Sequence, residues 1–255
     1  MSLSRKGDWQ QTFSSRQFWP DDPRDEDFSI IDIAHALSLQ ARFAGHTFVH
    51  YSVAEHSVRA ARLAYRIAQG KGLEQSPHQT AQEVFATLLH DATEAYLVDI
   101  PRPRKRQEDM AGYREAESRL ERAIERWVGL PAGAFGWQVV KQADETMLQT
   151  EKRDLLGPAP APWGPNQGIA VAPLPEHIRP VLPHIAEMAF LRLFVDCCAE
   201  LQNFRAFPEA WREFMSLHKP PSGLGSMWQV DPTFLKEIEA SRIAQLPSPE
   251  TTLID

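Results

Sequence analysis

The stretch FATLLHDATEA, residues 85–95, is the part of the sequence from which the expected fold and site follow. Its first five residues continue an apolar stripe that begins at Ala81 and Val84, a spacing typical of the buried face of a helix. His90 and Asp91 stand at the end of that helix. An imidazole and a carboxylate at a buried helix end are costly unless a partner satisfies both, and a divalent metal is such a partner. This mixture of ligands suits Mn, Fe, Co, Ni or Zn better than Ca.

Helical patterns on both sides of this stretch predict an all-α fold. Ser52 and Glu55 predict a capping box, in which Ser52 is the N-cap and the Glu55 side chain reaches back, at the start of a helix that ends near Gly70. Ser76-Pro77 predicts another helix start, because proline is tolerated at the first helical position. Further helices are predicted over residues 29–40, 110–128, 137–156, 184–202 and 209–217. No internal repeat and no alternating strand pattern stands out.

Three regions are expected along the chain. Residues 1–28 are interpreted as an irregular N-terminal arm, and residues 29–217 as the helical domain. Within this domain, residues 157–183 contain eight prolines, through which no helix can run, so the segment is expected to be a long ordered loop, a lid or a plain surface connection. Residues 218–255 are expected to form a C-terminal tail, with a helix start at Asp231-Pro232.

Composition argues against several classes of protein. The 255 residues fit one large domain or one domain with an appendage. The formal net charge of -7 lacks the basic surplus of proteins that bind polymeric nucleic acid. Cys197 and Cys198 are adjacent and poorly placed to bridge each other, so a reducing, cytoplasmic location is expected. The first residues lack the apolar core of a signal peptide, and Arg192 and Asp196 interrupt the apolar stretch 188–198, so no membrane span is expected.

Three further residues fit a metal centre around His90-Asp91. His56 lies on the apolar face of the preceding helix, where a lone histidine is more often part of the core than a ligand. Asp144 lies on an apolar helix face, and a buried aspartate is uncommon without a partner. Glu94 follows Asp91 by almost one helical turn, so it can share the site without being a ligand. Together these residues match the inventory of a hydrolytic metal centre.

His56, the His90-Asp91 pair and Asp144 resemble, in this order, the H…HD…D signature of the HD-domain metal-dependent phosphohydrolases. The resemblance extends over roughly residues 28–156, through Arg42-Phe43 and residues 54–58, 88–95, 99–101 and 140–144. Within that superfamily the chain looks most similar to the bacterial 5′-deoxynucleotidases and related phage enzymes. The resemblance therefore implies an HD-type helical bundle that hydrolyses nucleotides.

The resemblance also implies a role for each matching residue. His56, His90, Asp91 and Asp144 would bind one divalent transition metal (Mn, Co, Zn, Ni or Fe, with Mg also compatible). Glu94 would position or deprotonate the attacking water, and Asp99 would lie near the substrate sugar. Arg42 would hold the phosphate, and Lys105 would lie at the edge of the site. Apart from the resemblance, His46, before the ligand helix, is a candidate substrate contact, and Phe43, Trp19 and Tyr96 could stack on a base.

Two related activities fit the sequence less well. Binuclear members of the superfamily have additional histidines between the HD pair and the last aspartate, and residues 92–143 contain none. Hydrolases of guanosine alarmones carry an acidic pair after the HD motif, whereas Glu94 is followed by Ala95. The sequence thus favours a mononuclear nucleotide phosphohydrolase.

The substrate stays open between two classes. One is a (deoxy)nucleoside 5′-monophosphate, cut to nucleoside and phosphate, which the overall resemblance favours. The other is a deoxynucleoside triphosphate, cut to nucleoside and triphosphate, which the basic loop 102–106 favours if it is a phosphate funnel rather than a solvated loop. A third reading is a catalytically silent nucleotide-binding sensor. Aromatic residues in the helix at 184–202 allow a homodimer or higher homo-oligomer.

Overall fold

Helices dominate the part of the chain that the computed structural model describes, residues 5–71, 75–163 and 171–203. The all-α prediction is therefore confirmed. The described helices are α1 Ile30–Leu39, α2 Val53–Gly70, α3 Pro77–Leu89, α4 Glu94–Leu97, α5 Arg102–Lys105, α6 Ala111–Val128, α7 Gln138–Leu155 and α8 Pro183–Glu200. The helix predicted over 209–217 and the tail predicted over 218–255, with its helix start at Asp231-Pro232, lie outside the described residues.

Helix α2 is the centre of the described fold, because it packs against α1, α3, α7 and α8. It begins as the sequence predicts, with the Ser52 hydroxyl accepting the Glu55 backbone N–H at 3.1 Å. The second half of the predicted capping box is wrong. The Glu55 carboxylate accepts hydrogen bonds from Arg59 at 2.7 Å and from the Val181 backbone N–H at 3.0 Å, so it serves a tertiary contact instead of reaching back.

Helix α3 has the start and the buried face that its sequence predicts. Ser76 and Gln79 form a complete capping box, and Pro77 occupies the first turn. The apolar stripe is fully buried, and Phe85 meets Phe194 of α8 edge to face, with 5.2 Å between the ring centroids. The helix ends at Leu89, so His90 and Asp91 fall in the tight turn that leads to α4.

The N-terminal arm is more regular than its sequence suggests. Gln10–Gln11 and Gln17–Phe18 pair as a short antiparallel hairpin. Strands of two residues are too short to show an alternating pattern, so no sequence pattern predicts them. The side chain of Phe18 is fully buried and stacks on Tyr96 of α4, with 3.7 Å between the ring centroids. This stacking attaches the arm to the helical core.

The described parts of the proline-rich segment, residues 157–163 and 171–182, contain no helix or strand, as predicted. Backbone N–H groups of the second part are held by side chains of α2 and α7. The three bonds run from Leu174 to Thr150 at 2.9 Å, from Ile178 to Asp154 at 2.7 Å and from Val181 to Glu55 at 3.0 Å. Residues 171–182 are thus an ordered connection along these two helices.

In the described chain, none of the helices is both long enough and apolar enough to cross a lipid bilayer.

Candidate metal centre and adjoining cavity

The candidate metal centre is assembled from three parts of the chain that are distant in sequence. His56 comes from α2, His90 and Asp91 from the turn after α3, and Asp144 from α7. One ligand atom from each of His56, His90 and Asp144 lies within 4.8 Å of the other two. These three side chains could hold a metal ion.

Both histidines present the same ring nitrogen to this cluster. The Nδ1 atom of His90 lies 2.7 Å from the Thr87 carbonyl oxygen, which can only accept, so Nδ1 carries the proton. The Nδ1 atom of His56 lies 2.6 Å from the Glu151 carboxylate. The two Nε2 atoms are buried and have no hydrogen-bond partner. Buried polar atoms rarely stay unpaired, and metal-binding histidines use this arrangement, in which the second nitrogen is held by an oxygen.

The carboxylates of both aspartates lie close to these nitrogens. Asp144 Oδ1 is 3.3 Å from His56 Nε2 and 3.9 Å from His90 Nε2. Asp91 Oδ2 is 3.6 Å from His56 Nε2, and Asp91 Oδ1 is 3.3 Å from His90 Nε2. The structure therefore clusters three of the predicted ligands, His56, His90 and Asp144, and places the fourth, Asp91, beside both histidines.

The charges of the centre reinforce one another. Burial and the nearby Arg42 oppose protonation of His56, but Glu151 and Asp144 outweigh them and raise the pKa of His56 to about 9. Burial likewise disfavours charge on Asp144, yet the adjacent imidazoles of His56 and His90 hold its pKa well below the usual range. Protons and a metal ion would thus compete for the same imidazole nitrogens.

Glu151 is a member of the site that the sequence analysis missed. It is completely buried on α7, seven residues after Asp144 and so on the same helical face. Besides His56, its carboxylate accepts hydrogen bonds from the Tyr51 hydroxyl at 3.0 Å and from Arg42 Nε at 3.2 Å. A second acidic residue on the apolar face that carries Asp144 was the signal that could have found it.

Arg42 and Glu94 stand beside the four candidate ligands. Arg42 Nη1 lies 3.3 Å from Asp91 Oδ2, so Asp91 and Glu151 fix the guanidinium between them. Glu94 Oε2 is buried without a hydrogen-bond partner. Burial, followed by the charges of Asp91 and Asp99, raises the pKa of Glu94 well above its usual value. Glu94 is therefore an acceptor with a strong affinity for a proton.

A cavity of about 510 Å³ opens next to this centre, a volume typical of small-molecule sites. Most of the predicted site residues line it, namely Arg42, Phe43, His46, Asp91, Glu94, Asp99, Lys105 and Asp144. His56 and His90 are not among the lining residues. The remaining lining includes Arg102 and three residues without a predicted role, Leu148, Leu156 and Trp163.

The predicted basic loop is a one-turn helix, α5, and several of its charges have carboxylate partners. Arg104 pairs with Asp109 at 2.6 Å outside the cavity lining. Lys105 Nζ lies 2.6 Å from Glu117 and 3.8 Å from Glu94. Arg102 reaches Asp144 at 3.4 Å and Glu145 at 3.2 Å. The positive charge of this loop is thus largely compensated within the protein.

Two aromatic residues considered for base stacking lie elsewhere. Tyr96 is buried beneath Phe18 of the N-terminal arm. Trp19 is covered by the guanidinium of Arg5, whose central carbon lies 4.4 Å from the ring centroid. Neither residue lines the cavity, so this expectation is wrong for both and applies only to Phe43.

The fold and the site define a helical protein with a candidate metal centre beside a cavity, and comparison with known proteins adds its relatives. The chain is 36% identical to the uncharacterized protein YfdR of Escherichia coli (strain K12) over 186 residues, which cover 73% of this chain and 93% of that protein. It is also 36% identical to an uncharacterized protein of Rhodobacter capsulatus over 153 residues, 58% of this chain and 74% of that protein. No model of a known protein family matches. The chain belongs to the family of YfdR.

Proposed function

We propose that the protein is an HD-domain, metal-dependent phosphohydrolase that converts (deoxy)nucleoside 5′-monophosphates to nucleoside and inorganic phosphate. One observation carries the proposal. Two buried imidazole nitrogens without partners, those of His56 and His90, face aspartate oxygens at the wall of a cavity that also holds Arg42 and Glu94. Such a set of groups is expected of metal-assisted hydrolysis.

The donor set fits one divalent transition metal. His56, His90, Asp91 and Asp144 would hold it, and two neutral nitrogens with two carboxylates suit Mn, Co, Zn, Ni or Fe, while Mg is compatible with the oxygen ligands. When bound, such a metal polarises a phosphoryl oxygen and lowers the pKa of a water molecule. The histidines are held for this role through their Nδ1 atoms, by Glu151 and Thr87.

Glu94 is the residue best suited to take a proton. Its unpartnered Oε2 is buried at the cavity, and its raised pKa makes it a stronger base than an exposed carboxylate. Arg42 would hold the phosphate, because its guanidinium lines the same cavity and is fixed by Asp91 and Glu151. Asp99 lines the cavity as well, where it would contact the sugar.

The charge of the cavity favours a monophosphate. Its lining contains four carboxylates, those of Asp91, Glu94, Asp99 and Asp144, and three cationic side chains, those of Arg42, Arg102 and Lys105. With Glu94 protonated, as its raised pKa favours, these side-chain charges cancel, and a divalent metal would leave a double positive charge. A dianionic phosphate group matches that charge better than a triphosphate does.

A deoxynucleoside triphosphate triphosphohydrolase is the second candidate. It is favoured by Arg102 and Lys105, the residues of α5 that reach the cavity and could extend the phosphate site. Their existing contacts with Asp144, Glu145 and Glu117 weaken this case, because the same charges would have to leave those partners.

The proposal is tested by incubating the purified protein with nucleoside mono- and triphosphates, with Mn, Co, Mg or no added metal. Release of inorganic phosphate from monophosphates is expected, whereas intact triphosphate as a product would establish the second candidate.

Glu94→Gln should retain the metal and lose about 100-fold or more in turnover. Glu83→Gln, on α3 beside Lys71, is the matched control and should keep full activity. Bound metal with no turnover of any substrate would instead support a sensor.

Three expectations about the surroundings of the protein remain proposals. The described cysteines Cys197 and Cys198 are buried and unpaired, which supports a reducing, cytoplasmic compartment. The net charge of -7 supports a small nucleotide rather than polymeric nucleic acid as partner. A homodimer or higher homo-oligomer would be tested by light scattering of the purified chain.

A further inference from the structure

Two aromatic rings form one wall of the cavity beside the candidate metal centre. Phe43 follows the phosphate-site candidate Arg42, and Trp163 comes from the proline-rich segment. Their ring centroids are 6.5 Å apart, with 54° between the ring planes. Both rings are half-buried, so they are neither core residues nor freely exposed.

Each ring is held in place by a cation. Lys152 Nζ of α7 lies 4.5 Å from the Trp163 centroid, and the Arg42 guanidinium carbon lies 5.6 Å from the Phe43 centroid. Arg42 is itself fixed by Glu151 and Asp91, so the position of Phe43 is tied to that of the metal centre. Each ring thus has a cation beside it at the cavity wall.

The backbone around Phe43 is unusual and supports a functional reading. Phe43 and Ala44 have φ values of 56° and 51°, in the left-handed region that residues other than glycine rarely adopt. Gly45 continues the turn with φ of 79°. Strain of this kind persists where the surrounding structure requires it, commonly at ligand sites. Here it places the Phe43 ring at the cavity instead of in the core.

The lining of the cavity combines two kinds of side chain. The charged ones include Arg42, Glu94 and the two aspartates of the candidate centre. The apolar ones include Phe43, Trp163, Leu148 and Leu156. A ligand that uses both kinds carries a phosphate and a flat, apolar group, and a nucleotide has these features.

We propose that Phe43 and Trp163 form a base-stacking subsite, in which the planar base of a nucleoside 5′-monophosphate lies against Trp163 while its phosphate lies at Arg42. The inference rests on the proposed function for the identity of the substrate. It adds a binding role for the proline-rich segment, because Trp163 is contributed by that segment. Stacking is tolerant of base identity, so this subsite would accept purines and pyrimidines.

The subsite is tested by binding rather than by turnover. The probes are methylene phosphonate analogues of a nucleoside 5′-monophosphate and of ribose 5-phosphate, which cannot be hydrolysed, titrated by calorimetry into the full-length protein with Mn²⁺. The nucleoside probe should bind about tenfold more tightly than the ribose probe, the magnitude expected of one stacked base. Trp163→Ala should remove this advantage and leave the ribose probe unchanged, and Trp163→Phe should retain most of it.

Trp9→Ala is the matched control, since Trp9 is 45% exposed and does not line the cavity. Phe43→Leu provides a second variant if Trp163→Ala unfolds, and it should also weaken only the binding of the nucleoside probe.

Equal effects of Trp163→Ala on both probes, or none on either, would overturn the subsite. Selective binding without hydrolysis of the natural nucleotides would reject the proposed function and leave the subsite standing. Failure of both probes to bind would reject both.

Discussion

Glu151 is a fully buried carboxylate whose two oxygens are shared among three partners. Oε1 lies 2.6 Å from His56 Nδ1 and 3.0 Å from the Tyr51 hydroxyl, while Oε2 lies 3.2 Å from Arg42 Nε. Burial disfavours its charge, but Arg42 and His56 outweigh this effect and lower the pKa of Glu151. One residue thus orients a candidate metal ligand and the candidate phosphate ligand together.

Glu151→Gln should weaken metal binding without unfolding the protein. The amide has nearly the same size, but it lacks the negative charge that favours the orientation of His56 and the fixed position of Arg42. Changes at partners of metal ligands commonly lower metal affinity by about 10–100-fold, and a loss in this range is expected for Mn²⁺ or Co²⁺. Metal titration followed by elemental analysis measures it.

The control for this change is Glu125→Gln on α6. Glu125 is also a buried glutamate, and its carboxylate accepts the backbone N–H groups of Gly133 and Phe135, away from the cavity. It should lower stability while leaving metal affinity unchanged. Equal metal affinity in Glu151→Gln and the wild type would show that the contact of Glu151 with His56 does not contribute to metal binding.

At the scale of residues, the sequence predicts a place in the site for charged residues that interrupt an apolar pattern. It does not predict one for charged residues whose partners are distant in sequence. Asp144 and the His90-Asp91 pair were recognisable because an apolar helix face surrounds them. Glu151 and Arg102 depend on contacts with residues more than forty positions away, which no local pattern shows. The structure thus clusters His56, His90 and Asp144 as the motif predicts, and it adds surrounding contacts that the sequence did not indicate.

Asp154, at the end of α7, is the strongest tie between that helix and the proline-rich segment. Its carboxylate accepts the Ile178 backbone N–H at 2.7 Å and lies 2.8 Å from His177 Nδ1. The hydrogen bond from Arg153 lowers the pKa of Asp154 well below its usual value, and burial opposes this only in part. The charged form of Asp154 therefore stabilises the position of residues 171–182.

Asp154→Asn should lower the free energy of unfolding by about 1–2 kcal/mol at pH 7, since it removes one charged acceptor. Because the folded pKa lies below the unfolded value of about 3.9, the contribution of the carboxylate is fully present above that value. It is lost as the pH falls through the folded pKa. The difference between wild type and Asp154→Asn should thus be largest above about pH 5 and shrink at lower pH. Urea denaturation at several pH values measures it.

Hydrogen exchange supplies a second readout of this tie. The Ile178 amide should exchange faster in Asp154→Asn, while amides of α3 should change little because the described partners of the Asp154 carboxylate are Arg153, His177 and Ile178. Glu176→Gln is the matched control, because the Glu176 side chain pairs with Arg66 at the surface and is 61% exposed. A pH-independent difference between wild type and Asp154→Asn would contradict the charge argument.

At the scale of elements, helix starts and ends follow from the sequence more closely than their tertiary contacts do. The helix start at Ser76-Pro77 and the end of α6 before Gly129 are local features, and the structure has them where they were predicted. Glu55 fits the local capping pattern equally well, but its carboxylate serves Arg59 and Val181. Tertiary contacts therefore determine the partners of Glu55.

At the scale of the whole molecule, the candidate centre joins three segments that only folding brings together. His56 is separated from Asp144 by 88 positions, yet the side chains lie 3.3 Å apart. Helical periodicity does not show which helices pack together. The proximity of His56 and Asp144 was therefore predicted only from the resemblance of the motif to a known superfamily. Helix α2 packs against α1, α3, α7 and α8, and this central position brings His56 close to Asp144 of α7.

Metal binding should therefore stabilise the whole fold. The folded chain presents the clustered ligand atoms and the unfolded chain does not, so at a concentration about 100 times the dissociation constant Mn²⁺ should add about 2.7 kcal/mol. For a domain of this size the gain corresponds to a rise in Tm of about 5–10 °C. A chelator should reverse it, and Ca²⁺ should give a smaller rise, because imidazole nitrogens are poor ligands for calcium. Differential scanning calorimetry with and without each ion measures the effect.

Two aspartate variants separate specific binding from a general effect of divalent ions. Asp144→Asn removes a candidate ligand and should abolish the Mn²⁺-dependent rise in Tm. Asp196→Asn removes a buried carboxylate of α8 that pairs with Arg192 at 3.1 Å, far along the chain from the cluster, and should keep the rise in full. If both variants kept the rise, the ion would be stabilising the protein from another site. If the wild type showed none, the unpartnered nitrogens of His56 and His90 would need an explanation other than a metal.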